Sequence, residues 1–190
     1  MTDKEILGLL GQAGAYEEGH FLMKSGRHAS AFLQCAHLIE PADIAEKLCG
    51  ELAERCRECG ADLVIGPALG GMIFGYTVAR MLGLRFIDCE RRDGVMTLRR
   101  GFRIPAGAKV LVVEDLVATG GSVREVMEIV RAFGAEVVMV GAMVDRSRGK
   151  ADFGVPFTSL AQVEVSFYPA EQCPLCREGV PMNPPRGGSR

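Results

Sequence analysis

The sequence has no surplus of either charge. Its 190 residues carry 22 basic and 24 acidic side chains, a formal net charge of −2. A chain that grips nucleic acid usually carries a basic excess, so no nucleic-acid partner is expected. Nearly half of the chain, 48%, is hydrophobic, yet no apolar run approaches the length of a membrane span. The opening stretch MTDKEILGLLGQ has neither a basic start nor a cleavable apolar core, so no signal peptide is expected. The 7 cysteines are an odd number without the framework of a small secreted domain, which favours a reducing cytoplasm. No internal repeat and no low-complexity tract breaks the chain. A shift in composition occurs only in the last dozen residues, rich in Pro and Gly. The length suits one α/β domain with a sizeable core.

Lysine is scarce as well. Of the 22 basic residues 17 are arginine, and Arg91, Arg92, Arg99, Arg100 and Arg103 crowd into one segment. Guanidinium forks match phosphate and carboxylate oxygens bidentately. In a nearly neutral chain this excess points to a small polyanionic ligand, or else to a solvated basic loop.

The informative stretch is Val110 to Ser122, VLVVEDLVATGGS. Its apolar, mostly β-branched start reads as a strand buried on both faces. Glu114 and Asp115 stand where that strand should end. A small-residue turn follows, and then Val123, Val126, Met127, Val130 and Phe133 recur at helical spacing, with Gly134 as a stop. A glycine turn between a strand and a helix N-terminus is a phosphate cradle, because bare N–H groups and the helix dipole both favour an anion. Adjacent carboxylates suit the vicinal hydroxyls of a ribose 5-phosphate. The alternative is an ordinary strand–turn–helix with an acidic strand end.

The rest of the chain alternates helix and strand. Residues 4–13 suit a short amphipathic helix, and His20 to Gln34 reads as two strands joined by a cationic turn with Lys24, Arg27 and His28. Pro41 to Cys59 is a helix with Ile44, Leu48, Leu52 and Cys56 on one stripe. Strand Asp62 to Gly66 runs into a second glycine turn and a helix whose Ile73, Val78, Ala79 and Leu82 face the core. After strand Arg85 to Cys89, the charged segment Glu90 to Arg103 reads as a mobile loop with a turn at Asp93-Gly94. Strand Glu136 to Val144 ends in Asp145-Arg146. That arginine either faces a ligand crevice at the sheet edge or forms a surface salt bridge with Asp145. Strands at 157–160 and 163–168 complete the sheet edge and the lid. The expected architecture is a mostly parallel α/β sheet with helices on both faces. A small hood from about residues 1–40, with part of the C-terminal segment, would cap a core at about 41–168.

Two Cys-x-x-Cys pairs, Cys56/Cys59 and Cys173/Cys176, could together build a tetrahedral zinc site. The first pair sits on a helix carrying core residues, and the separation far exceeds that of a zinc ribbon. Both pairs are therefore read as thiols, no residue is assigned to a metal, and a zinc-dependent structural module stands as a rival reading.

The acids followed by small residues and Thr-Gly-Gly-Ser resemble the signature of the type I phosphoribosyltransferases. The resemblance implies that fold, and implies that Glu114 and Asp115 bind the ribose of phosphoribosyl pyrophosphate (PRPP). It puts the 5-phosphate on the turn, so that Leu116, Val117, Ala118, Thr119, Gly120, Gly121 and Ser122 complete the PRPP site. It also implies that Ala68, Leu69, Gly70 and Gly71 hold pyrophosphate, although some members carry lysine where Gly70 stands. FLMKSGRHASAFLQ, the RRGF segment, Asp145-Arg146 and the tail from Cys173 are similar to the orotate-specific branch. That likeness assigns orotate to Lys24, Phe32 with Leu33, Ala118 and Arg146. It assigns catalytic charge stabilisation to Arg91, Arg92, Arg99 and Arg100 on a loop shared between the subunits of a homodimer. Mg²⁺ is implied as a cofactor carried mainly by PRPP. Ala118 departs from the pattern, which has threonine there, so one hydrogen bond to the base is expected to be missing, worth about 1 kcal/mol. The implied rivals are transfer to another base, or a PRPP-sensing regulator with the same fold.

Overall fold

The computed structural model describes residues 1–183. The Pro- and Gly-rich ending from Pro184 onward lies outside the described residues. Helix α1 (Asp3–Gln12) starts with a capping box, in which Thr2 and Glu5 satisfy each other's backbone N–H groups. Strands β1 (Tyr16–Leu22) and β2 (His28–Leu33) pair antiparallel. Helix α2 (Ala42–Cys56) follows Pro41, and a short 3₁₀ turn ends at Gly60 in the left-handed region, φ 69°. Then come β3 (Leu63–Pro67), α3 (Gly70–Leu82), β4 (Arg85–Arg92), β5 (Val95–Leu98), β6 (Lys109–Val117), α4 (Gly121–Ala132), β7 (Glu136–Asp145) and β8 (Phe157–Gln162). The chain closes with β9 (Phe167–Tyr168), α5 (Pro174–Arg177) and β10 (Met182–Asn183).

The large sheet has the order β5-β4-β3-β6-β7-β8, parallel except for β5. Its central strands read as unbroken apolar runs because both faces are covered. Alternation sorts them cleanly. Val64, Leu111 and Val113 pack with α1, α2 and α3 on one face. Leu63, Ile65, Val110 and Val112 pack with Val123, Val126, Met127 and Val130 of α4 on the other. Helix α1 belongs to this larger body, since Ile6 and Leu10 are fully buried in the first cluster.

The hood is a second sheet, β10-β1-β2-β9, with its own small core of Phe21, Ala29, Ala31, Phe32 and Val165. Three sequence expectations change here. Helix α3 buries Phe74 and leaves Ile73 36% exposed, because the inward face runs through Gly71, Phe74, Gly75, Val78 and Ala79. Phe133 is 40% exposed, because α4 ends one residue before it. The first half of the arginine-rich segment is not a loop. Strands β4 and β5 form a hairpin over Asp93-Gly94, both with positive φ (50° and 84°), as a two-residue turn of the twist-matching kind requires.

The inward face of α3 is testable by unfolding. Phe74→Ala should lower the free energy of unfolding in urea by about 3–5 kcal/mol. Ile73→Ala should change it by less than about 1 kcal/mol. The reverse order would show that the helix is rotated.

Candidate active site

Strand β3 leaves β6 at the pair Ile65–Val112 and keeps only β4 as neighbour. Strand β6 continues to Val117, paired only with β7. The chain order reverses between β3 and β6, and in open α/β sheets a ligand crevice lies at the carboxyl ends of such strands. Both glycine turns open there. The crevice holds a cavity of about 370 Å³, walled by Gln34, Cys35, Ala68, Leu69, Gly70, Arg91, Glu114 and Asp115 among others. A smaller pocket of about 100 Å³ adjoins it, lined by Glu114 and by Leu116 through Val123.

The two acids lie within β6 rather than at its end. The β7 pairing extends the strand past them to Val117. Glu114 is buried, and its Oε1 accepts a hydrogen bond from the Asp115 N–H at 3.0 Å. Burial, and then the Asp115 charge, push its carboxyl up to about 8. The same acids add to the burial that raises the Cys35 thiol at the crevice wall. No ion pair to either acid occurs among the described residues.

The first turn leans directly on these acids. A Cβ at Gly70 would run into the Asp115 carboxylate, and one at Gly71 would meet the Val113 carbonyl at 2.7 Å. A side chain at position 70 would have to push the Asp115 carboxylate aside, and as it stands this turn offers backbone groups only. The Ala68–Leu69 peptide is cis. The second turn is equally constrained. Gly120 has φ 77°, and a Cβ there would strike the Phe153 ring at 2.7 Å. Behind it, Arg124 donates to the carbonyls of Thr119 (2.7 Å) and Asp152 (3.0 Å), with its guanidinium 5.3 Å from the Phe153 ring centre. Arg124 thus positions the turn, a role that nothing in the sequence separates from a surface arginine. Gly121 opens α4, so the first N–H groups of that helix have no acceptor within it.

Comparison with known proteins bears on this geometry. The model of the phosphoribosyl transferase domain family matches residues 38–153. The chain is 49% identical over 190 residues to an orotate phosphoribosyltransferase of Caldanaerobacter subterraneus subsp. tengcongensis, covering 100% of this chain and 99% of that protein. The chain belongs to the phosphoribosyl transferase family. Among solved structures, the orotate phosphoribosyltransferase from Aeropyrum pernix matches with a TM-score of 0.69 and 26% identity, over 83% of this chain and 93% of that one. An adenine phosphoribosyltransferase from Thermoanaerobacter pseudethanolicus shares the fold, with a TM-score of 0.62 and 21% identity over 70% of this chain and 88% of that one. The type I phosphoribosyltransferase fold, read first from the acidic pair and the Thr-Gly-Gly-Ser turn, is thus the fold found.

Of the four loop arginines expected at the site, only Arg91 lines the crevice. It pairs with Glu125 at 2.6 Å and donates to the Gly94 carbonyl. Arg99 pairs with Glu90, and Arg100 with Asp88 and Glu90, at 2.7–3.1 Å. Arg92 reaches only Asp93, at 3.6 Å. Each of these last three is held by acids of the hairpin itself.

On the base side, strand parity separates two neighbours. Phe32 is buried in the hood core near Phe21, while Leu33 lines the crevice. The expectation that Phe32 faces the site is corrected to Leu33. Lys24 sits exposed on the hairpin turn and does not line the cavity. Ala118 lines the smaller pocket. Arg146 is half-buried and makes no pair with Asp145, which is buried and accepts from the Ser147 N–H. Its guanidinium lies 5.7 Å from the Phe167 ring centre, where Arg27 also sits at 5.6 Å. Phe167 escaped the sequence reading because it sits in a two-residue hood strand with no periodicity of its own.

The raised Glu114 carboxyl makes stability depend on pH. Between its ordinary 4.5 and about 8, the folded chain holds a proton that the unfolded chain releases. That contribution is complete at the acid end and is lost as pH rises through the window. The melting temperature of the ligand-free protein should therefore fall less in Glu114→Gln than in wild type from about pH 5 to about pH 8. Equal slopes in calorimetry would remove Glu114 as the source.

Proposed function

We propose that the chain transfers the phosphoribosyl group of PRPP to orotate, giving orotidine 5′-monophosphate and pyrophosphate in the de novo route to UMP. The observation that carries this reading is the convergence of both glycine turns and the acid pair on one crevice. The relatives named for orotate support the choice of base.

In this reading Glu114 and Asp115 accept from the ribose hydroxyls. The N–H groups and hydroxyls of Thr119 to Ser122 hold the 5-phosphate, and the Ala68–Gly71 turn holds pyrophosphate through its backbone. The anomeric carbon loses pyrophosphate and gains a ring nitrogen of orotate, through an oxocarbenium-like transition state. Orotate is already a ring acid, so no strong base is required. Positioning and stabilisation of the departing charge then carry the rate. Arg91, which lines the crevice, would meet that charge on leaving Glu125. Arg92, Arg99 and Arg100 would have to leave their hairpin acids, or act on the site of a second subunit in a homodimer. Closure by this hairpin would exclude water, which would otherwise hydrolyse PRPP.

Mg²⁺ would neutralise the pyrophosphate while bound to it. The crevice suits a substrate-borne ion, since its free acids are the adjacent Glu114 and Asp115 and no cluster of three or more donor side chains gathers there among the described residues. No helix of the described residues is long and apolar enough to cross a membrane, and none of the seven cysteines forms a disulfide.

A second reading is favoured by Ala118, which removes a hydroxyl from the base side and could admit another base. Both are tested by offering PRPP, Mg²⁺ and orotate, uracil, adenine, guanine or xanthine in turn. Turnover with orotate alone is expected, and turnover only with a purine would overturn the assignment. Arg146→Ala should raise KM for orotate by roughly tenfold or more, as loss of a charged hydrogen bond implies. KM for PRPP should barely move, and equal effects on both would rule out contact with the base.

A further inference from the structure

Away from the crevice, four metal-binding side chains from three elements meet inside the hood. His20 of β1 and His28 of β2 approach to 2.8 Å, Nε2 to Nδ1. Cys173 Sγ lies 3.5 Å from His20 Nε2. Cys176 Sγ lies 3.7 Å from that atom and 3.3 Å from His28 Nδ1. All four donor atoms fall within 4.8 Å of one another. We infer that these residues form a structural zinc site that fastens the C-terminal segment to the hood hairpin.

The distances fit a tetrahedron about to close. With metal–nitrogen bonds near 2.0–2.1 Å and metal–sulfur bonds near 2.3 Å, its edges are about 3.3 Å between nitrogens and about 3.5 Å between nitrogen and sulfur. The three N···S separations, 3.3, 3.5 and 3.7 Å, bracket that value. The N···N separation is a hydrogen-bond length that an ion would widen by about half an ångström. Two thiolates and two imidazoles select zinc over the hard cations. The site also has the outer support that ligating histidines use. The Val180 carbonyl, 3.0 Å from His20 Nδ1, can only accept, so it keeps the ring proton on Nδ1 and leaves the Nε2 lone pair facing the cluster. Cys173, the N-cap of α5, and Cys176, within that helix, have zinc-knuckle spacing. The Arg177 N–H returns to the Cys173 carbonyl, and that of Gly179, at φ 69°, to Cys176.

The burial pattern says why an ion is wanted here. Between Pro169 and Asn183 only Cys173 is buried, so the segment has almost no apolar anchor of its own. Beyond this cluster it is tied to the hood chiefly by the two-residue pairing of β10 with β1. His20, His28 and Cys173 are 2%, 6% and 1% exposed, and polar groups so deeply placed need strong partners. Binding would expel the two thiol protons and move the His28 ring proton from Nδ1 to Nε2, so zinc should be lost as pH falls and protons compete for the ligands. Four protein ligands close the sphere, which makes the site structural rather than catalytic. The partners weighed for Cys173 and Cys176 in the sequence, and set aside there, were Cys56 and Cys59. Cys56 is buried against Gly141 in the main core, and the donors that complete the set are histidines from the other end of the chain.

The test is metal analysis of reduced full-length protein purified without metal-affinity resin, together with Co²⁺ titration of chelated protein. Stoichiometric zinc is expected, with the intense visible bands of tetrahedral cobalt and a thiolate charge-transfer band. Cys173→Ser/Cys176→Ser should bind zinc at least about tenfold more weakly and melt lower. Cys56→Ser/Cys59→Ser should retain the metal. Folded, reduced wild type that holds no zinc after gel filtration with added Zn²⁺, or that gives octahedral cobalt spectra, would overturn the proposal without recourse to any variant.

Discussion

Strand β6 outlasts its neighbour. Beyond Val112 its hydrogen-bonded ladder continues with β7 alone, and the backbone of Gly71 packs against Gly66 of β3 and the Val113 carbonyl of β6. This contact fixes the crevice. It sets the N-terminus of α3 beside Asp115, brings the first turn within van der Waals reach of the acids, and leaves Glu114 buried with no basic partner among the described residues. Two glycines make it possible, because any Cβ at position 70 or 71 would meet the carboxylate or the strand backbone.

The electrostatics follow from that packing. A buried carboxyl beside a second one is an unfavourable arrangement for the empty protein, tolerated because Glu114 can keep its proton. The arginines that could balance it are held elsewhere, by Glu90, Asp88, Asp93 and Glu125. Arg91 lines the crevice but is paired with Glu125, and the other guanidiniums are kept on the hairpin, away from the acids. A polyanionic substrate carrying a cation is what would make use of both.

What the sequence disclosed was local. The strand–turn–helix at Val110 to Ser122 announces itself in one continuous stretch, and Arg146 is placed by the end of a single strand. The hairpin at Asp93-Gly94 was also written locally, as a turn dipeptide followed by Val95 to Leu98. The charged residues around it led to a loop reading, although Arg91 and Arg92 lie at exposed positions of β4, with Arg99 and Arg100 following β5. Parity errors are of another kind. Phe32 and Leu33 look equivalent until the hood core chooses one, and Ile73 and Phe74 until α3 settles on the sheet. The histidine partners of Cys173 and Cys176 lie more than 140 residues away, and no periodicity carries information over that distance.

The order of strands in the hood has a consequence for timing. β1 and β2 leave the ribosome before any of the large sheet, yet both of their outer neighbours, β9 and β10, come from residues 167–183. Chains generally fold N-terminal parts first during synthesis. Here the earliest hairpin must wait, with both edges unpaired, until the core beneath it is complete. The hood is begun first and finished last, so a nascent chain can assemble both glycine turns well before the hood closes beside the crevice.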